Sequence, residues 1–304
     1  MRWVGLPNLR RRVGWLRLYW GISVVFVAFL LVRPSGGEDN STDADASESE
    51  FIAMEMVSVP AGTFMMGCNS AVDAECEPDE FLYHAVNVPA FKIDRYEVSG
   101  GLYTKCVEAG GCTAPSSDEW HCNWGKRGKA RQPANCLDWN QAKGYCEWTG
   151  KRLCSESEWE KAARGTDGRK YPWGSVEPTC EQAVVDSVKP ADNAKDHGIC
   201  KKPGGGWINA ASAVGSRPAD LSPYGVRDMA GNVQEWVQDR YHPTYLSAPV
   251  DGGAMEEQSL HGSVRVVRGG GYDVSSSDVR ASNRERALPS EGRAGLGFRC
   301  CSSL

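Results

Sequence analysis

Twelve cysteines are the side chains of this sequence best equipped for chemistry, as disulfides, metal thiolates or redox pairs. A zinc site would draw on CxxC steps with partner histidines or cysteines. The chain has no CxxC step, and its five histidines, His84, His121, His197, His242 and His261, are scattered. Spacing suggests local bridges instead: Cys68–Cys76, Cys106–Cys112, Cys122–Cys136 and Cys180–Cys200. Such bridges persist in an oxidising compartment. Sequence leaves the connectivity of Cys146, Cys154, Cys300 and Cys301 open.

Two acids come next. Asp228 and Glu235 stand seven residues apart around a Gly231-Asn232 turn. Calcium takes roughly six to eight oxygens, mixing carboxylates with backbone carbonyls, and a turn flanked by acids supplies that mix. A plain turn with solvated acids fits the spacing as well. The run from Asp273 to Asp278 holds Ser275–Ser277, but no histidine follows His261. Those serines read as loop residues rather than as part of a Ser-His-Asp set.

The elements that must position these groups follow from pattern. Arg2, Arg10, Arg11, Arg12 and Arg17 precede an almost wholly apolar run at 18–32. A positive flank and an apolar run predict an export signal or an anchor over 1–37. Residues 38–50 carry six acids and no base, and read as a solvated spacer. The globular part is 51–304. Net charge is −5, and the basic residues are read as running together only at the extreme N-terminus. Nucleic-acid binding, which needs a clustered cationic surface, is not expected.

MVSVPAGTFMMG (56–67) and VNVPAFKIDRYEVS (86–99) predict strands. Ser99 predicts a helix through Glu108, and Asp138 one that ends at Gly150. Ser155 and Glu158 form a capping box for a third helix, to about Arg164. SVRVVRGG (263–270) predicts a late strand in a Gly-, Pro- and Ser-rich half. Early helices and irregular late strands indicate α+β.

An ordered set of motifs resembles the sulfatase-modifying-factor, or formylglycine-generating, enzyme family. They are FKIDRYEVS, DWNQAKGYCEWTGKRL, SEWEKAARG, YPWG, SPYGVRDMAGNVQEW, RVVRGG and GFRC, spread over 56–301. The resemblance implies a C-type-lectin-like α+β fold with little regular secondary structure. It implies a Cys146–Cys300 bridge, which leaves Cys154 and Cys301 to pair or to stand as a redox couple. It implies a structural calcium site on the side chains of Asp228 and Glu235 and the carbonyls of Met229, Gly231 and Val233. A second calcium site of the family has no matching pattern in 179–198.

The family's chemistry depends on two cysteines, five residues apart, whose soft thiolates select Cu(I). Val274 and Val279 stand at those positions, so copper is not expected. Gly271, Gly295 and Gln234 replace a Ser, an Asn and a Trp of active members. Tyr272, Arg280, Asn283, Arg284, Arg286 and Arg293 would line or flank the remaining groove, as anion grips or as surface salt bridges. The expected function is an exported module, attached to a membrane at most through its N-terminus. It would bind a peptide, glycan or protein at the cell envelope. The alternative is an oxidoreductase of the same family using a non-standard site.

Overall fold

The computed structural model describes residues 55–304 apart from 117–119, 189–197, 201–209 and 260–261. The expected signal or anchor at 1–37 and the acidic spacer at 38–50 lie outside the described residues. The described residues begin with four strands, β1 (Met56–Val59), β2 (Gly62–Met66), β3 (His84–Val88) and β4 (Phe91–Asp94), in which β1 pairs with β4 and β2 with β3. Helices α1 (Gly100–Glu108) and α2 (Trp139–Trp148), strand β5 (Arg152–Leu153) and helix α3 (Glu156–Arg164) follow. The later part is strand and loop: β6 (Ser187–Val188), β7 (Gly198–Ile199), β8 (Gln234–Arg240), β9 (Arg265–Arg268), β10 (Arg284–Ala287), β11 (Leu296–Phe298) and β12 (Cys300–Ser303).

The predicted caps are in place. Ser99 Oγ accepts from Leu102 N. Asp138 and Gln141 exchange side-chain and backbone bonds, as do Ser155 and Glu158. Each box satisfies two helix-end N–H groups that would otherwise be orphaned. α2 stops where Gly150 takes a φ of 73°, a conformation with no Cβ penalty only for glycine.

Two four-stranded sheets carry the fold, ordered β1-β4-β12-β5 and β10-β9-β8-β11. The first is antiparallel throughout, whereas β11 runs parallel to β8. α1 and α2 cover a core of Tyr103, Tyr145, Trp236, Leu296 and Phe298. α3 lies inside the molecule, with all nine residues buried although five are charged. Those charges are met internally: Glu160 takes Gly67 N, Arg164 and Arg268, and Lys161 donates to the carbonyls of Pro60 and Gly62. Buried charge is tolerable on those terms only.

All 12 cysteines are bonded, in the pairs Cys68–Cys76, Cys106–Cys112, Cys122–Cys136, Cys146–Cys300, Cys154–Cys301 and Cys180–Cys200. The structure thus makes Cys154 and Cys301 a bridge, buried on both sides, rather than a free redox couple. Among the described residues no helix is long and apolar enough to cross a membrane.

Candidate functional site

The Gly269-Gly270-Gly271 turn leaves β9 with φ of 93° at Gly269 and 67° at Gly270. A Cβ on Gly270 would stand 2.7 Å from Val279 Cγ1. The turn therefore packs directly on the short 3-10 turn Ser276–Val279. Val279 is fully buried, and Val274 is half-buried against the same cluster, which includes Tyr171, Val184, Val233 and Tyr272. Where the resemblance places two thiolates, the chain has packed hydrocarbon with no donor atom.

Asp273 stands beside two glycines next to this spot. A Cβ at Gly271 would lie 2.8 Å from Asp273 Oδ1, and one at Gly295 would lie 3.0 Å from the same oxygen. The Asp273 carboxylate fills the room that larger residues at 271 and 295 would need. The neighbouring serines do local work. Ser275 donates both N–H and Oγ–H to Asp278 Oδ2, at 3.1 and 2.8 Å. The rings of His84 and His242 bond backbone carbonyls of Leu82 and Glu257. No Ser-His-Asp geometry arises among the described residues.

The Asp228–Glu235 segment is buried, and its sharp turns show in positive φ values at Asp228, Gly231 and Asn232. Gly231 N donates to Gly269 O, which ties this segment to the glycine turn. Met229 and Val233 are fully buried. Glu235 accepts from Trp159 Nε1 at 2.8 Å and from Arg299 Nε and Nη2 at 2.7 Å each. Asp228 accepts from Gly215 N, and its carbonyl takes Arg299 Nη2.

Two further acids, missed by sequence reasoning, join them. Glu97 accepts from Asn232 Nδ2 at 2.6 Å and Val233 N at 3.2 Å. Asp220 is 1% exposed, and its Oδ1 has no partner. Burial, then the charge of Asp228, pushes the carboxyls of Glu97 and Asp220 well above the usual range. Burial also lifts Asp228 to about 6. Fully buried Arg299 lies among these four acids, and Arg217 and Arg227 also act on Asp228. The orphaned Asp220 oxygen has room for one more donor or a cation, but no three of these four carboxylates come within 4.8 Å of one another. Glu235 keeps a lone pair beyond the three N–H groups it accepts.

The expected groove residues are mostly committed. Arg280 donates to both oxygens of Glu80 at 2.7 Å and to Asp73 at 3.3 Å, all buried. Arg284 is buried against Glu156, at 2.6 and 3.1 Å, and also donates to the carbonyls of Asp79 and His242. Tyr272 and Asn283 are buried, and Arg293 holds Glu291 and Gln234. Only Arg286 is exposed, with Nη1 on Tyr241 Oη at 2.9 Å. The anion-grip reading is therefore corrected for Arg280 and Arg284, whose internal acids occupy their donors. They are buried salt bridges rather than surface ones.

An open groove of about 490 Å³ does run along edge strand β10. Arg284 and Arg286 line it with Tyr241, Glu77, Asp79 and Glu285. Tyr241 Oη donates to Asp79 Oδ2 at 2.8 Å. Burial and the neighbouring Glu80 push the Glu77 carboxyl up. With Arg284 neutralised by Glu156, the groove is net acidic. It suits hydroxyl- or amine-bearing groups better than carboxylates.

A model of the sulfatase-modifying factor enzyme 1-like domain matches residues 41–304. The chain is 29% identical over 297 residues to the formylglycine-generating enzyme of Streptomyces coelicolor, covering 81% of this chain and 88% of that protein. It is 32% identical over 188 residues to the inactive C-alpha-formylglycine-generating enzyme 2 of Bos taurus, covering 59% and 52%. The solved structure of PvdO from Pseudomonas aeruginosa matches with a TM-score of 0.64 at 32% identity, over 82% of this chain and 94% of that one. The chain spans 38 to 58% of the length of other curated relatives it matches. With its fold, its motif order and this match in agreement, the chain belongs to the sulfatase-modifying factor enzyme 1-like domain family.

Proposed function

We propose that the chain is an exported, disulfide-stapled binding module that has left the family's thiol chemistry. The observation that carries this reading is the apolar packing of Val274 and Val279 where a Cu(I) site needs soft donors. Closure of all 12 cysteines supports it, because no thiolate remains elsewhere to hold the metal. The bovine relative, whose name describes it as inactive, offers a precedent for the fold without the reaction. The disulfides and the N-terminal pattern support placement outside the cytoplasm. The net-acidic groove along β10 is the place for a peptide, glycan or protein ligand. Calcium at Asp228, Glu235 and the turn carbonyls, with Asp220 beside them, is structural and offsets the buried acid charge.

The test is alkylation of the full chain under native, non-reducing conditions, followed by mass spectrometry and a Cu(I) competition assay. The expected result is no alkylated cysteine and no Cu(I) retained against a chelator. One reactive thiol, or oxygen uptake with a cysteine-containing peptide, would overturn the reading in favour of a family oxidoreductase.

A further inference from the structure

Strand β10 ends the second sheet, and among the described residues it pairs with β9 alone. In an antiparallel pair every second residue turns its N–H and C=O away from the partner strand. The outer side of Arg284–Ala287 is therefore a template for one more strand. The groove of about 490 Å³ opens on that side. Successive residues of a strand point to opposite faces. A groove bordered by Arg284, Glu285 and Arg286 in turn lies at the strand's edge rather than over one face. Its far wall, Glu77, Pro78, Asp79 and Pro243, contains no strand that could fill the place.

The charge around this edge selects the occupant. Arg284 is neutralised by Glu156, at 2.6 and 3.1 Å. Arg286 rests on Tyr241 Oη. Against that one exposed cation stand Glu77, Asp79 and Glu285, and among the described residues none of the three has an ion-pair partner. Burial, then Glu80, Asp79 and Glu285, push the Glu77 carboxyl up against the pull of Arg280, as like charges held together do. The acids flank the strand on both sides. Arg284 Nη1 reaches Asp79 O at 2.7 Å, and Tyr241 Oη joins Arg286 to Asp79. Asp79 thus stands on the face of Arg284 and Arg286, and Glu285 turns to the opposite face.

We propose that β10 takes up an extended peptide as a fifth strand of its sheet, and that this peptide carries two adjacent basic residues. The proposal rests on the reading of the β10 groove as the ligand site, and names the ligand's class. Backbone hydrogen bonds to the outer side of β10 hold the peptide whatever its sequence. Neighbouring side chains of the added strand point to opposite faces. One cation therefore meets Glu285, and the next meets Asp79 and Glu77. Opposite charges paired across strands in this way stabilise the added strand, and an acidic peptide is repelled.

The full chain is titrated with a short peptide of threonine and valine around a central Lys-Arg pair. Comparison probes are the same peptide with Glu-Glu at its centre, the basic peptide with every backbone N–H methylated, and dextran. Binding is read by calorimetry and by hydrogen exchange at Arg284–Ala287. The proposal expects the basic peptide to bind, to slow exchange in β10, and to weaken with added salt. Glu77→Lys with Glu285→Lys should weaken it by about tenfold or more, and methylation of the peptide by about as much. Both residues are exposed, and a melting temperature no lower than that of the parent shows that the variant folds. Equal binding of the methylated or the acidic peptide, or unchanged exchange in β10, would overturn the proposal. Retained binding of the basic peptide in the double variant would place it elsewhere and do the same. Failure of the basic peptide to bind would also overturn it. The groove reading survives that last result if dextran binds and the variant loses it, and falls with the proposal if no probe binds.

Discussion

Asp273 occupies the space that a side chain at Gly295 would need. Its Oδ1 lies 3.0 Å from where a Cβ on Gly295 would stand. The Asn that the resemblance implies at 295 would therefore meet the Asp273 carboxylate. Asp273 is exposed and its carboxylate can swing aside, so Gly295→Asn should destabilise by no more than about 1 kcal/mol. Gly295→Asn combined with Asp273→Ala should recover much of that loss. Thermal unfolding of the two single variants and the double would check it, and additive losses would sink the idea.

Arg280 and Glu80 form a two-pronged pair in which both side chains are buried. Either Arg280→Ala or Glu80→Ala leaves its partner's charge stranded. Each should destabilise by about 3–5 kcal/mol. Arg280→Ala with Glu80→Ala together should lose less than the sum of the two. Denaturant titration of the set is the measurement. An additive pair would mean that Asp73 and Ser282 carry the guanidinium instead.

Calcium should stabilise the folded chain and chelation should weaken it. A cation at 100 times its dissociation constant adds about 2.7 kcal/mol. For a domain of this size that raises the melting temperature by about 5–10 °C. Asp220→Asn should reduce the response. Unchanged melting in chelator would remove calcium from the account.

Asp239 links stability to pH. Its carboxyl accepts from Glu156 N at 2.6 Å and Met255 N at 2.8 Å inside the molecule. Burial, and then the charge of Glu156, raises its pKa to about 8 from an ordinary 3.8. The folded chain thus holds a proton that the unfolded chain releases. Stability from this group is present at low pH and lost as pH climbs from about 4 to 8. Melting temperatures at pH 5 and pH 9 should differ more in the wild type than in Asp239→Asn. Equal slopes would exclude Asp239 as the source.

Local features were legible in sequence. Ser99, Asp138 and Ser155 announced the helix starts, because a cap is a contact between residues three apart. The short cysteine pairs and the motif order carried the disulfides and the family. What escaped was long-range pairing. Arg280 and Arg284 read as free to grip a ligand, since nothing near them in sequence reveals Glu80 and Glu156, which lie 200 and 128 positions away. Glu97 and Asp220 were passed over for the same reason, as their neighbours come from distant segments.

Strand β12 sits between β4 and β5, so the first sheet is completed from its middle rather than from an edge. Residues 56–94 and 152–153 wait on 300–303, and Cys146 and Cys154 wait with them. During synthesis the first sheet cannot close before its last strand has been made. Cys146 and Cys154 have no native partner until Cys300 and Cys301 are present. Shuffled bridges to Cys106, Cys122 or Cys136 are then the characteristic misfolded products. Yield in the native form should depend on an isomerase more than on the stability of the finished fold.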